Sequence, residues 1–151
     1  MNLSVHSLYF SYQAAPLLRD LDFSLDTGSF VCVLGKNGAG KSTLFQCILN
    51  LQKNYTGMIS LDGQNVKALK EKELAKSIAY IPQLHKQSFP FSVFDTVLMG
   101  TAASLSPFST PKEAQKEAAM EALHLMGMEK YASRSFSHLS GGEQQMVLIA
   151  R

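Results

Sequence analysis

Gly35-Lys36-Asn37-Gly38-Ala39-Gly40-Lys41-Ser42 is the stretch that decides the fold. It fits the pattern G-x-x-x-x-G-K-[ST], and Thr43 follows it. Phe30-Val31-Cys32-Val33-Leu34, just before it, is apolar throughout, as expected of a strand covered on both faces. After it, Leu44, Phe45, Ile48, Leu49 and Leu51 recur at helical spacing. A buried strand, a glycine loop and a helix in succession are the local context a phosphate-binding loop requires. Glycines let the backbone curl so that successive N–H groups point at phosphate oxygens, where a Cβ would crowd them. The start of the helix adds a fixed positive end at the same spot. Lys41 is then placed for the β- and γ-phosphates of a nucleotide and the Ser42 hydroxyl for Mg²⁺. At average residue frequencies a chain of this length shows the pattern by chance about 0.5–1% of the time. The strand before it and the helix after it lower that further. Even so, the loop alone does not separate kinases, GTPases, motors and transporters.

Working outward, Leu3 to Tyr9 and Leu21 to Leu25 alternate with period two and predict half-buried strands, joined by a loop holding Pro16. Gly57 to Gly63 predicts another short strand, Leu69 to Lys76 a mixed-charge helix, and Ile78 to Ile81 a strand ending at Pro82-Gln83. From Leu84 to Pro107 the chain turns rich in Phe, Ser and Pro, with a short apolar helix expected at Val93 to Met99. Thr110-Pro111-Lys112-Glu113 reads as a helix start, with Thr110 as the cap, and that helix should run to Met126 and stop at Gly127. The change of character near Gln83 divides the chain into residues 1–83, sheet-rich, and 84–151, helical.

Leu139-Ser140-Gly141-Gly142-Glu143-Gln144-Gln145 is the more discriminating motif. Ser140 and Glu143 form a capping box, and Met146, Val147, Ile149 and Ala150 supply the apolar residues of the helix it opens. Gly141 and Gly142 bare the helix start, so a phosphate can approach its N–H groups. A capping box by itself is common and marks no more than a well-started helix.

Leu139 to Gln145 resembles the signature sequence of the ATP-binding-cassette (ABC) ATPases, about 100 residues after Lys41 as in that family. Gln83 looks like the family's Q-loop glutamine, and Tyr12, in Phe10-Ser11-Tyr12, like the aromatic that stacks on adenine; Tyr9 and Phe10 are nearby rivals. The matched elements stand in the family's order and cover nearly the whole chain. The resemblance implies an α/β fold: the P-loop core of an ABC ATPase, with an antiparallel β patch and a helical subdomain. It implies ATP and Mg²⁺ as cofactors, held by Tyr12, Gly35, Asn37, Gly38, Gly40, Lys41, Ser42 and Thr43, with Ser42 and Gln83 at the metal and Lys41 and Gln83 as catalytic residues. It also implies a homodimer or ATPase pair closed through ATP, in which Ser140, Gly141, Gly142 and Glu143 of one subunit meet the γ-phosphate held by Lys41 of the other. Asn37 is equally well explained as a turn former. Phe89, Phe91 and Phe94 either line the groove that receives a permease's coupling helix or form a small core.

The stretch from Ser92 to Leu139 is similar to importer subunits for iron chelates, haem, cobalamin or molybdate. Such subunits sit in the cytoplasm against the inner face of the membrane, pair with two permeases, and serve a solute-binding protein indirectly. Non-transport ABC ATPases are the rival; the repair type inserts a coiled coil for which the spacing from Lys41 to Ser140 leaves no room. A third reading is a nucleotide-binding fragment without turnover. The family pattern continues with an apolar strand ending in Asp-Glu and then a switch His, and neither is present in this sequence. These 151 residues therefore read as part of a longer protein or a truncated frame, stopping before the Walker B strand, that binds ATP weakly and hydrolyses it negligibly by itself. By the same resemblance Phe30–Leu34 loses its neighbour in the sheet and should expose an apolar edge.

Composition agrees and excludes little else. A hydrophobic content of 46% is enough for a core. Fourteen basic against 12 acidic residues give a net charge of +2, with no basic field that argues for nucleic acid. Cys32 and Cys47 lie in apolar runs at no metal-like spacing, which fits a reducing setting. His6, His85, His124 and His138 likewise show no ligand spacing. No apolar run is long enough to span a bilayer, and no basic, apolar leader opens the chain.

Overall fold

The structure, a computed structural model, describes residues 2–82, 91–105 and 109–151. The chain divides into two compact units, Met1–Ile78 and Ala79–Arg151.

In the first unit β1 (Leu3–Phe10) is an inner strand of a four-stranded antiparallel sheet. It lies between β2 (Leu18–Leu25) and β3 (Thr56–Leu61), and β4 (Gln64–Asn65) borders β3. Strict alternation from Leu3 would carry Ser7 into the core. Instead the register shifts between Val5 and Leu8, and Ser7 takes a left-handed φ of 44°. This bulge re-phases the strand, so that Leu3, Val5, Leu8 and Phe10 are all buried. Gly57 makes room for it: with φ 87°, a Cβ there would lie 2.2 Å from the Ser7 carbonyl oxygen. Against the sheet packs α1 (Lys41–Ile48), which buries Leu44, Cys47 and Ile48, and the short α2 (Glu71–Ser77) adds Leu74. Burial pushes the Cys47 thiol up from 9.0 to about 11, and the Tyr55 phenol up from 10.0 to about 12. Tyr55 Oη and Asn50 Oδ1 are buried with no hydrogen-bond partner among the described residues, although Lys67 Nζ sits 3.7 Å over the Tyr55 ring.

Two expected strands do not form. Phe30–Leu34 belongs to no sheet among the described residues, and Phe30 and Leu34 are 90% and 88% exposed. The apolar edge expected there is thus present as a whole exposed segment. A strand meant to be covered on both faces needs a neighbouring strand to satisfy its backbone, and no described strand pairs with it. Ile78–Ile81 also stays outside any sheet, with Tyr80 and Ile81 exposed.

The second unit is helical. α3 (Val93–Leu98) is capped by Ser92, whose Oγ accepts the Asp95 N–H at 3.0 Å, and it continues as a 3-10 turn over Met99–Ser104. α4 (Glu113–Leu125) begins later than the Thr110 cap predicts. Its cap is Lys112, whose N–H donates to Gln115 Oε1 at 3.0 Å, because Gln115 supplies the reciprocal acceptor. It ends as expected at Gly127, which takes φ 65°. α5 (Gly141–Ala150) buries Val147 and Leu148 against Val93, Val97, Leu123 and Phe136. Met146 and Ile149, expected on its apolar face, are exposed instead.

Candidate functional site

The glycine loop and its helix belong to the first unit. Gly38 and Gly40 hold φ of 81° and 94°, a left-handed conformation that side chains resist. Gly40 is also crowded, since a Cβ there would lie 2.8 Å from Leu18 Cδ2. The turn closes through the Ala39 N–H to the Lys36 carbonyl at 3.2 Å, and α1 starts with the Leu44 N–H donating to Gly40 O at 2.8 Å. No acidic side chain occupies the first turn of α1, and no side chain caps it. The free N–H groups and positive end of that helix are left for an external acceptor. Lys41 Nζ donates to Gly35 O at 2.7 Å and to Lys36 O at 2.9 Å. An ammonium has three protons, so the lysine braces the loop with two and keeps one.

Tyr12 comes to the same place from the turn after β1. Its Oη lies 3.4 Å from Thr43 Oγ1 and donates to Gln46 Oε1 at 3.3 Å. Phe10 meets its ring edge-on at 4.8 Å, and the residue is still 60% exposed. Of the rivals, Phe10 is buried and Tyr9 makes no such contact with α1. Tyr12, the loop, Ser42 and Thr43 are therefore gathered in one place. Ser42 is exposed and Thr43 buried. Gln83 lies outside the described residues.

The second motif is built as the capping box predicts. Ser140 Oγ accepts the Glu143 N–H at 3.4 Å, and Glu143 Oε2 accepts the Ser140 N–H at 2.8 Å. Gln144 Nε2 ties the turn beneath it, donating to Phe136 O at 3.3 Å and Leu139 O at 3.2 Å. Hydrogen bonds from Ser140 and Tyr131, with the charge of Arg134, hold the Glu143 carboxyl below its ordinary range. A Cβ on Gly141 or Gly142 would meet nothing within 4 Å, and neither has positive φ. Glycine at a helical position costs up to about 1 kcal/mol relative to alanine, and nothing inside the unit requires it here. The bareness of this helix start faces outward.

Other sequence readings resolve more simply. Phe94 packs against the second core, and Phe91 lines a shallow apolar groove with Leu98, Met99 and Pro111; Phe89 and His85 lie outside the described residues. Among the described residues no group of His, Cys, Asp and Glu is placed to hold a metal, and no helix is long and apolar enough to cross a membrane. Sequence reasoning missed Tyr131 and Arg134, which the motif's spacing does not include; the only signal was the capping box they support.

Residues 18–151 match the ABC transporter family. The chain belongs to that family. Its members generally bind and hydrolyse ATP. The molybdate import ATP-binding protein MolC of Haemophilus influenzae is 39% identical over 150 residues, which cover 99% of this chain and 54% of that protein. The manganese transport system ATP-binding protein MntB of Bacillus subtilis is 39% identical over 143 residues, 93% of this chain and 55% of that one. A solved ATP-binding subunit of an ABC transporter superposes with a TM-score of 0.82 at 28% identity, covering 99% of this chain and 60% of the other. The chain thus spans little more than half the length of the curated relatives it matches. The fold is that of the ABC ATPases, with the antiparallel patch and the helical part both present.

Proposed function

We propose that this chain is the nucleotide-gripping part of an ABC importer's ATPase subunit. The observation that carries the reading is the loop Gly35–Ser42: two left-handed glycines and a braced lysine in front of an uncapped helix. Phosphate oxygens are the acceptors such an arrangement fits. On binding, Lys41 exchanges two neutral carbonyls for charged phosphate oxygens, and charge-assisted bonds of that kind are the stronger. Tyr12 offers an exposed ring for a base, and Thr43 and Gln46 orient it from behind. Ser42 contributes the one hydroxyl a Mg²⁺ ion needs from the protein when phosphates and water complete its shell. That ion, when bound, neutralises charge developing between the β- and γ-phosphates. Gln83 follows the loop residues as the second polar contact to the metal and water.

Ser140, Gly141, Gly142 and Glu143 form the complementary grip. The two glycines have no internal role, which supports contact with a phosphate held by another subunit, and association then depends on ATP. The sequence holds no apolar strand running into Asp-Glu, so no water-activating base is assigned to these residues, and turnover by this chain alone is expected to be negligible. In the whole protein the partners are two permeases at the inner face of the membrane and, through them, a solute-binding protein. The relatives named for molybdate and manganese support a small metal-bearing solute, the class that includes iron chelates, haem and cobalamin.

Titration with a fluorescent ATP analogue tests the loop. Lys41→Ala is expected to weaken binding about 10- to 100-fold, the loss of one or two charge-assisted bonds. Unchanged affinity would defeat the reading. Uptake of metal-bearing solute by a reconstituted transporter that persists with Lys41→Ala would defeat its transport part.

A further inference from the structure

Tyr12 stands on an exposed loop, yet its ring has a fixed place. Residues 11–16 leave β1 as a loop exposed throughout, closed at its stem by the Leu17 N–H, which donates to Phe10 O at 2.8 Å. Exposed side chains ordinarily turn between rotamers within nanoseconds. The Tyr12 ring is held instead from two sides: Phe10 meets it edge-on, and its phenol reaches α1.

The two contacts with α1 are not equivalent. The Gln46 amide oxygen can only accept, so the phenol gives it its single proton, across 3.3 Å. Towards the Thr43 hydroxyl, 3.4 Å away, Tyr12 Oη is then left as the acceptor, and Thr43 donates. Gln46 therefore fixes the direction of both bonds. Thr43 and Gln46 stand three residues apart, on one face of the helix. Leu44, Cys47 and Ile48 of the same helix are buried in the core, which anchors α1 independently of the loop.

We propose that Gln46 is a positioning residue that sets where a nucleotide's base lies relative to its phosphates. By taking the Tyr12 proton it ties the aromatic platform to the helix whose first turn carries Lys41 and Ser42, roughly 7–8 Å away along the helix axis. Both ends of the ligand are then located by one anchored element, and the ring need not be immobilised when the base arrives. Gln46 acts through Tyr12 and needs no contact of its own with the ligand. The inference deepens the reading of Tyr12 as the residue that meets the base, given under Proposed function, and rests on it.

The test separates base from phosphates by using two ligands: ATP, and methyl triphosphate, which has the same phosphate chain and no base. Their affinities are measured by calorimetry with Mg²⁺ on the full chain, on Gln46→Leu, on Tyr12→Phe and on the double variant. Leucine keeps glutamine's approximate size and helix propensity and removes the acceptor. Gln46→Leu should weaken ATP about 3- to 10-fold, the cost of immobilising one side chain on binding, and leave methyl triphosphate unchanged. Tyr12→Phe, which keeps the ring and removes its donor, should do the same, and the two losses should not add. Equal weakening of both ligands would mark a distortion of α1 and overturn the proposal. Unchanged ATP affinity in Gln46→Leu would overturn it too, as would losses that add in the double variant. Two failures of the underlying reading show before any substitution is made. Binding of neither ligand defeats the phosphate loop, and ATP bound no tighter than methyl triphosphate defeats the role of Tyr12 and this proposal with it.

Discussion

β1 and Phe30–Leu34 belong to the same unit and are both built from strand-forming residues, yet one is a strand and the other is not. β1 has a neighbour on each side, and Val5 and Leu8 are completely buried. Phe30–Leu34 is the more apolar of the two and has no paired strand among the described residues; Phe30 and Leu34 stand in water. Hydrophobicity therefore does not make a strand. Each extended residue brings an N–H and a carbonyl that must be paired, and the pairing comes from another segment. The lesson extends to the loop that follows. Its glycine geometry and Lys41 brace are complete although the strand leading into it is not, because those bonds are local.

The sharpest test of this contrast is thiol labelling, since the unpaired run carries Cys32 and the helix packed on the sheet carries Cys47. Cys32 is exposed and Cys47 is buried. A thiol reagent at neutral pH should modify Cys32 more than about 100-fold faster, because Cys47 reacts only after local opening. Similar rates would show that the sheet and α1 do not hold together. The raised Cys47 pKa works in the same sense. A thiol held neutral contributes stability that is full below 9.0 and is lost as pH rises through about 11, so urea midpoints should fall across that window and flatten in Cys47→Ala.

Next in size is Gly57→Ala. Its Cβ would collide with the backbone of the Ser7 bulge, and the residue would keep a left-handed φ, so a loss of more than about 3 kcal/mol or outright unfolding is expected in denaturant titration. A loss under about 1 kcal/mol would mean the bulge can relax, and that β1 is less rigidly registered than its pairing implies.

Paired substitutions compare the segments directly. Ile59→Ala in the sheet should cost about 2–5 kcal/mol, whereas Leu34→Ser should change stability by less than about 0.5 kcal/mol and reduce self-association seen by light scattering. A large cost at Leu34 would show that the segment is covered in solution. The smallest effect is expected inside the core. Tyr55→Phe removes a buried hydroxyl that lacks a partner and keeps the ring under Lys67, so it should stabilise the unit by about 1 kcal/mol. Destabilisation would mean that a water or neighbour satisfies that hydroxyl.

Much of the site was legible in the amino-acid sequence because its chemistry joins near neighbours along the chain. The Gly35–Ser42 loop, the Ser140–Glu143 box and the stop at Gly127 each depend on bonds between residues a few positions apart, so residue type and spacing determined them. Tyr12 could be named by resemblance, but its choice over Tyr9 and Phe10 needed the contacts with Thr43 and Gln46. The start of α4 was misplaced because a proline after threonine resembles a cap as closely as the Lys112–Gln115 pair that forms one.

What only the tertiary structure decided is everything that depends on a distant partner. It re-phased β1 at Ser7 against Gly57, left Phe30–Leu34 and Ile78–Ile81 outside the sheet, and set Tyr12 against Thr43 and Gln46. Period-two alternation records which residues prefer a buried face but not which segment will lie alongside. Side-chain spacing likewise records a cap but not what braces it from another turn. Local bonds are encoded where they are made; pairing across the fold is settled only when the chain has closed on itself.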